Sequence, residues 1–310
     1  MWRFMRDRLL TTLLTVWGAS TLAFLALRLL PGDAITNQML QGGASPASIA
    51  ARRAALGLES PLPIQYARFL LDLTRGDLGY SYLTQQPVSV LIGEQLGATV
   101  SLASAALVIA IILGLTLGMI EAFYWPRWPG QFAGALNVLA LASPIYWTAT
   151  LGIYVFSTQL DLLPATGSGS PTHLLLPAGV LGFHVAGSIA RVTRTSLRRT
   201  QEAPFVRTAY AKGLRGSQIL FGHVLRASFP PILSIIALQT GFLLGGTVIT
   251  EMIFVRQGIG QLLQHAVIDQ DYPVVLGVVV LAAITYSVVN TLADIGHGLL
   301  DPRLRPAEES

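Results

Sequence analysis

The chain has 310 residues, of which 52% are hydrophobic and 12% charged, with no cysteine and a formal net charge of +4. A soluble domain carries about 25% charged residues, so this composition excludes an ordinary globular domain. The missing cysteines exclude disulfides, thiolate metal sites and cysteine nucleophiles.

The apolar residues arrive in blocks. Stretches free of Asp, Glu, Lys and Arg run from Leu9 to Leu27, Gln95 to Ile120, Trp128 to Leu160, Leu162 to Ala190, Ala227 to Thr250 and Tyr272 to Ala293. Each reaches the roughly 17–25 residues a helix needs to cross the hydrocarbon core. The pattern predicts an all-α membrane protein with six transmembrane helices. The first run follows Arg3, Arg6 and Arg8, as in a signal peptide. It is longer than an ordinary signal-peptide core, and no small-residue cleavage site precedes Pro31, so it reads as a retained first helix.

The segment 31–94 follows, with turn signals at Pro31-Gly32-Asp33, Gln41-Gly42-Gly43 and Pro61-Leu62-Pro63. Between them, Ile49 to Leu56 and Ile64 to Leu73 read as short amphipathic helices. The segment is too long for a plain connector and predicts a small external cap. Gly114-x-x-x-Gly118 in the second run and Gly241-x-x-x-Gly245 in the fifth offer small-residue faces for close helix contact. Pro144 in the third run and Pro177 in the fourth each free a backbone carbonyl and predict a kink. His184 lies deep in the fourth run, as a relay, a solute contact or a neutral side chain bonded to a neighbouring helix. Pro144, Pro177 and His184 are therefore candidates to line a solute path.

Orientation follows from the Lys and Arg residues in the loops. A cytoplasmic N-terminus puts Arg3, Arg6, Arg8, Arg127, the basic residues of segment 191–226, Arg303 and Arg305 inside. It leaves only Arg52, Arg53, Arg68, Arg75 and Arg256 outside, with Arg28 at the outer end of the first helix, free to snorkel toward water. Both termini are expected in the cytoplasm. Because the basic residues follow membrane topology, no nucleic-acid partner is indicated.

Segment 191–226 holds eight basic residues (Arg191, Arg194, Arg198, Arg199, Arg207, Lys212, Arg215 and Arg226) and a single acid, Glu202. Within it, Pro204 suits the first position of a helix and Gly213 the position just past its end. Phe205, Val206, Ala209 and Tyr210 fall between them at spacings that share a face. So short a helix is marginal alone and needs something to pack against. It either inserts into a cytoplasmic partner or lies on anionic lipid.

A P-loop requires Gly-x-x-x-x-Gly-Lys followed by Ser or Thr. The only lysine is Lys212, between Ala211 and Gly213, so any ATPase is a separate subunit. The alternative is an ion-gradient-driven secondary transporter. Proton coupling usually sets Asp, Glu or His at membrane depth, and the runs hold His184 alone in that position. Sodium sites built from carbonyls and hydroxyls stay compatible with the sequence. An enzyme is not indicated. His-Glu-x-x-His is absent, and Gly167-Ser168-Gly169-Ser170 reads as a flexible connector rather than a nucleophile turn.

At segment 202–226 the chain resembles the permease subunits of bacterial ABC importers, in particular the dipeptide, oligopeptide and nickel permease family. The general importer motif reads Glu-Ala-Ala, three residues, Gly, nine residues, then Ile-x-Leu-Pro. Gly213 takes the place of its glycine, which sets Arg207-Thr208-Ala209 and His223-Val224-Leu225-Arg226 at the flanking blocks. That departure is what the peptide branch looks like. The resemblance extends over almost the whole chain: Arg28-Leu29-Leu30-Pro31-Gly32-Asp33, Leu56-Gly57-Leu58, Arg75-Gly76-Asp77-Leu78-Gly79, Gln86-Pro87-Val88, Gly245-Gly246, Glu251, Gly258-Ile259-Gly260, Asp271-Tyr272-Pro273-Val274 and Leu300-Asp301-Pro302-Arg303.

The resemblance implies the type I importer architecture in a bacterial inner membrane. Residues 1–30 would form the N-terminal tip and first helix, 31–94 the external cap, 95–298 the permease core with a coupling loop at 191–226, and 299–310 a cytoplasmic tail. It implies four kinds of partner: a second homologous permease, two cytoplasmic ATPases, an external solute-binding protein and the bilayer. No cofactor is expected in this chain, since ATP-Mg would bind the ATPases. Glu202, Phe205, Val206, Arg207, Ala209, Tyr210, Lys212 and Gly213 would couple ATPase closure to the permease. The solute would be a dipeptide, an oligopeptide or a related small solute such as a nickel chelate.

Overall fold

A computed structural model describes residues 2–29, 36, 39–40 and 43–300 of the chain. The expected turns at Pro31-Gly32-Asp33 and Gln41-Gly42 lie outside the described residues. So do Leu30, Asp301-Pro302-Arg303, Arg305 and the tail beyond Leu300.

The regular elements among the described residues are helices, with α1 (Trp2–Leu29), α2 (Pro46–Ala55), α3 (Leu62–Thr74), α4 (Val88–Tyr124), α5 (Trp128–Ala142) and α6 (Ile145–Gly152) in the first half. A π-helical stretch, Ile153–Gln159, continues α6. Then come α7 (Thr172–Gln201), α8 (Pro204–Ala211), α9 (Gly216–Ile219), a π-helical turn at Leu220–Val224, α10 (Leu225–Ile253), α11 (Ile259–Ile268) and α12 (Tyr272–Leu300).

Among the described residues, five helical segments are long and apolar enough to cross a membrane: Arg6–Leu29, Val88–Tyr124, Thr172–Gln201, Gly216–Leu243 and Tyr272–Leu292. The third run departs from expectation. Pro144 does not kink a continuous helix; Trp128–Ala142 and Ile145–Gln159 form a pair bent by 112°. Ser143 and Pro144 both have extended backbone, with ψ of 133° and 139°. A proline pushes the residue before it out of the helical region, and here that restriction ends one helix and starts the next. Pro177, by contrast, stays inside α7.

The chain divides into two compact units, Met1–Thr99 with Gln257–Ser287, and Val100–Arg256 with Val288–Ser310. In the first, α2 and α3 appear within a few residues of where turn chemistry sets them. Ser45 caps α2 by accepting from the Ser48 amide at 3.3 Å, with Pro46 opening the helix. The core of this unit joins Val88 and Ile92 to Ile259, Ala266, Val274, Val275 and Val278.

Two segments far apart in sequence, 77–88 and 271–274, meet in this unit. The buried Asp271 carboxylate accepts from Ser81 Oγ on one oxygen and from the Tyr82 amide at 3.0 Å on the other. Ser81 Oγ in turn accepts from the amides of Leu83 and Thr84. Burial pushes the Tyr82 hydroxyl above its ordinary value, with the Arg28 guanidinium beside it pulling the other way. Arg28 itself is half-buried over the rings of Phe24 and Tyr272, at 5.4 and 5.8 Å. It stacks on aromatic faces where the sequence suggests snorkelling to water.

In the second unit, α4 and α7 approach until backbone meets backbone. A Cβ built on Gly118 would stand 2.6 Å from the Ala190 carbonyl oxygen, and one on Gly114 2.6 Å from Ile189 Cβ. Between membrane helices, close packing replaces the hydrophobic driving force that water would supply. The glycines thus act through the shape of the interface, and Leu102, Ala106, Leu181, Val185, Ile189 and Leu243 fill the surrounding core. The packing around Gly245, in the other expected small-residue pair, lies outside the described set.

Candidate functional site

The short helix α8 forms where Pro204 and Gly213 bracket it. Pro204 stands at the first helical position after Ala203, whose backbone is extended. Gly213 has φ +79°, and its amide donates to the Tyr210 carbonyl at 2.9 Å while the Leu214 amide reaches back to Ala209 at 3.3 Å. This paired closure is the Schellman exit, which needs a left-handed residue at Gly213 and an apolar contact beyond it. Leu214 supplies that contact, packing on the cluster that contains Ala209.

The apolar residues of α8 do not share one buried face. Val206 and Ala209 are 3% and 6% exposed, whereas Phe205 and Tyr210 are 47% and 59% exposed. At about 100° per residue, Phe205 and Tyr210 lie some 70° to either side of the Val206–Ala209 stripe. A helix of two turns resting on one surface buries the middle of so wide an arc and leaves its edges out. Val206 and Ala209 pack on Ala122 of α4, Leu197 of α7, Ile219 of α9 and Val224 of the following π-turn. Glu202, Arg207 and Lys212 are exposed around them.

An ion pair between a buried acid and a part-exposed arginine lies beside this seat. Glu121, which precedes Ala122, is 3% exposed and accepts from Arg194 at 2.7 Å, and Arg194 precedes Leu197 by three residues. Asn137 Nδ2 of α5 donates to the second carboxylate oxygen at 3.3 Å, and the guanidinium stacks over the Trp125 ring at 5.6 Å. Glu121 follows directly on the charge-free run that ends at Ile120, so the sequence marks it as a boundary rather than as a buried group. Its signal is the apolar continuation Ala122-Phe123-Tyr124-Trp125, which keeps α4 helical to Tyr124. Glu251 near the end of α10, like Asp271, is another buried acid at the edge of a charge-free run.

Of the path-lining candidates, Pro144 and His184 stand near one another. Thr148, one turn into α6 from Pro144, bonds His184 Nε2 at 2.9 Å. His184 thus pairs with a neighbouring helix, one of the three roles open to it. Pro177 is buried seven residues earlier in α7, on the same side of the helix. Among the described residues, no three His, Cys, Asp or Glu side chains are grouped to hold a metal ion.

Comparison with known proteins agrees with this architecture. Residues 110–306 match the family described as binding-protein-dependent transport system inner membrane component, and residues 1–103 match the N-terminal region of such membrane components. A Brucella ovis protein named as a peptide permease is 36% identical over 317 residues, covering 98% of this chain and 99% of its own. The glutathione transport system permease protein GsiC of Pectobacterium atrosepticum is 34% identical, with the same coverage of both chains. Among solved structures, an inward-facing MetNI methionine ABC transporter chain superposes with a TM-score of 0.58 at 17% identity, over 68% of this chain and 96% of that one. An amino acid ABC transporter chain gives 0.55 at 14% identity, over 67% and 94%. At those identities the likeness is one of fold, that of the type I importer permeases.

Proposed function

We infer, from the premise that this chain belongs to the family of binding-protein-dependent transport system inner membrane components, that it forms one half of the translocation path of an ATP-driven importer for peptides or peptide-like solutes such as glutathione. As a multi-pass permease of the bacterial inner membrane it is a transport subunit and not an enzyme. ATP-Mg binds and is hydrolysed in two separate cytoplasmic ATPase subunits, a second homologous permease completes the path, and an external binding protein delivers the solute. The relatives named for peptides and for glutathione support this solute class, and nickel chelates rest on the sequence resemblance alone. Both termini and α8 face the cytoplasm in this reading, as the distribution of arginines favours.

The observation that carries the proposal is α8 itself. Its inner stripe is seated on α4 and α7, while Phe205 and Tyr210 are left facing outward with Arg207 and Lys212 beside them. A helix so placed passes a push on its outer rings directly to two membrane helices. The break at Pro144 and the Thr148–His184 contact put α6 and α7 forward as path-lining elements, and substitutions at Pro144, Pro177 and His184 address that role.

Purification of the tagged chain from native membranes under mild detergent tests the assembly. Two copies of an ATPase subunit and one homologous permease are expected to accompany it. A preparation containing this chain without any ATPase moves the ion-gradient-driven transporter to first place.

A further inference from the structure

We propose that Glu121 is a positioning residue for the transport cycle, tying α4, α5 and α7 into one body directly beneath α8. This rests on α8 being the coupling element. A single carboxylate takes a guanidinium from α7 and an amide from α5 while sitting on α4. The α4 and α7 ends of that tie lie next to the residues that carry α8, Ala122 and Leu197.

The surroundings are built for the carboxylate. A Cβ on Gly134 of α5 would stand 3.0 Å from Glu121 Oε1, so a larger residue there would press on the carboxylate. Trp125 closes over the guanidinium and restricts where it points. Such a pair adds little net stability over apolar packing of the same volume, yet parting it strands the charge of the buried Glu121. What the pair supplies is a joint that resists parting. When α8 is pushed, the three helix ends move together, and without the joint α8 shifts against them and the stroke is lost locally.

Charge and shape are separable here. Glu121→Gln keeps the side-chain volume and removes the charge; Glu121→Asp keeps the charge and shortens the reach, which the part-exposed Arg194 can follow. Each variant is assembled with its ATPase, second permease and binding protein, and basal and solute-stimulated ATP hydrolysis are measured beside uptake. Glu121→Gln is expected to keep basal hydrolysis and the KM for ATP while losing stimulation and uptake by about tenfold or more. Glu121→Asp is expected to retain most of both. Full coupling in the Gln variant overturns the proposal. So does equal loss in Gln and Asp, which marks a packing role, or loss of ATPase subunits from the Gln complex, which marks an assembly role. In parallel, Ala209→Asp tests α8. If it uncouples while Glu121→Gln does not, the positioning role fails and the coupling role of α8 stands. If neither uncouples, the coupling reading fails as well.

Discussion

Replacing Ala209 with aspartate is expected to abolish solute-stimulated ATP hydrolysis in the assembled transporter and leave the chain inserted in the membrane. Ala209 is buried among Ala122, Leu197, Val206 and Ile219. An unpaired carboxylate in such a place costs about 3–5 kcal/mol. An eight-residue helix has no intrinsic stability to set against that, so α8 leaves its seat rather than bury the charge. Insertion depends on the apolar runs, which the substitution does not touch. Stimulated hydrolysis should fall by about tenfold or more, with basal hydrolysis and membrane recovery near normal. Gly213→Val acts on the same element through the backbone. Gly213 sits at φ +79°, where an L-residue costs about 1–2 kcal/mol, so its effect should run in the same direction and be smaller. Normal stimulation in the Ala209→Asp complex would remove α8 from the coupling path.

Truncating both outward rings, Phe205→Ala with Tyr210→Ala, should act on binding and not on folding. The rings are exposed in the free subunit, so removing them changes the thermal stability of the isolated chain little. An aromatic anchor filling a partner's pocket is commonly worth about 2 kcal/mol or more on truncation, roughly a 30-fold loss of affinity. ATPase binding to the permease pair in nanodiscs, titrated with and without the substitutions, measures this. If the two rings instead lay among lipid headgroups, affinity for the ATPase would be unchanged.

How much of this was legible depended on whether a residue acts through its own backbone or through a distant partner. The bounds of α8 were readable because Pro204 and Gly213 dictate local conformation whatever surrounds them. The α2 and α3 helices were readable because turns and short amphipathic periods frame them. The split face of α8 was not, since spacing alone does not say how wide an arc the seat can cover. The broken third span had a visible hint, an apolar run from Trp128 to Leu160 that outlasts the roughly 17–25 residues of one crossing, with Pro144 inside it. The tie at Glu121 left no such trace. A lone acid at the end of an apolar run looks like a boundary, and its partners Asn137 and Arg194 lie on other helices. The contact of Ser81 with Asp271 spans 190 residues, and the two segments that carry it declare no relation until the chain is folded.

In the proposed function this subunit has no energy source of its own and receives work through α8. This is tested most directly by solute uptake into proteoliposomes, comparing the subunit alone with the complete assembly containing its second permease, ATPases and binding protein. Accumulation is expected only in the complete assembly, only with ATP-Mg inside the vesicles where the ATPases face inward, and at background level when the complete assembly carries Ala209→Asp. Accumulation by the subunit alone, driven by a proton or sodium gradient, would contradict it.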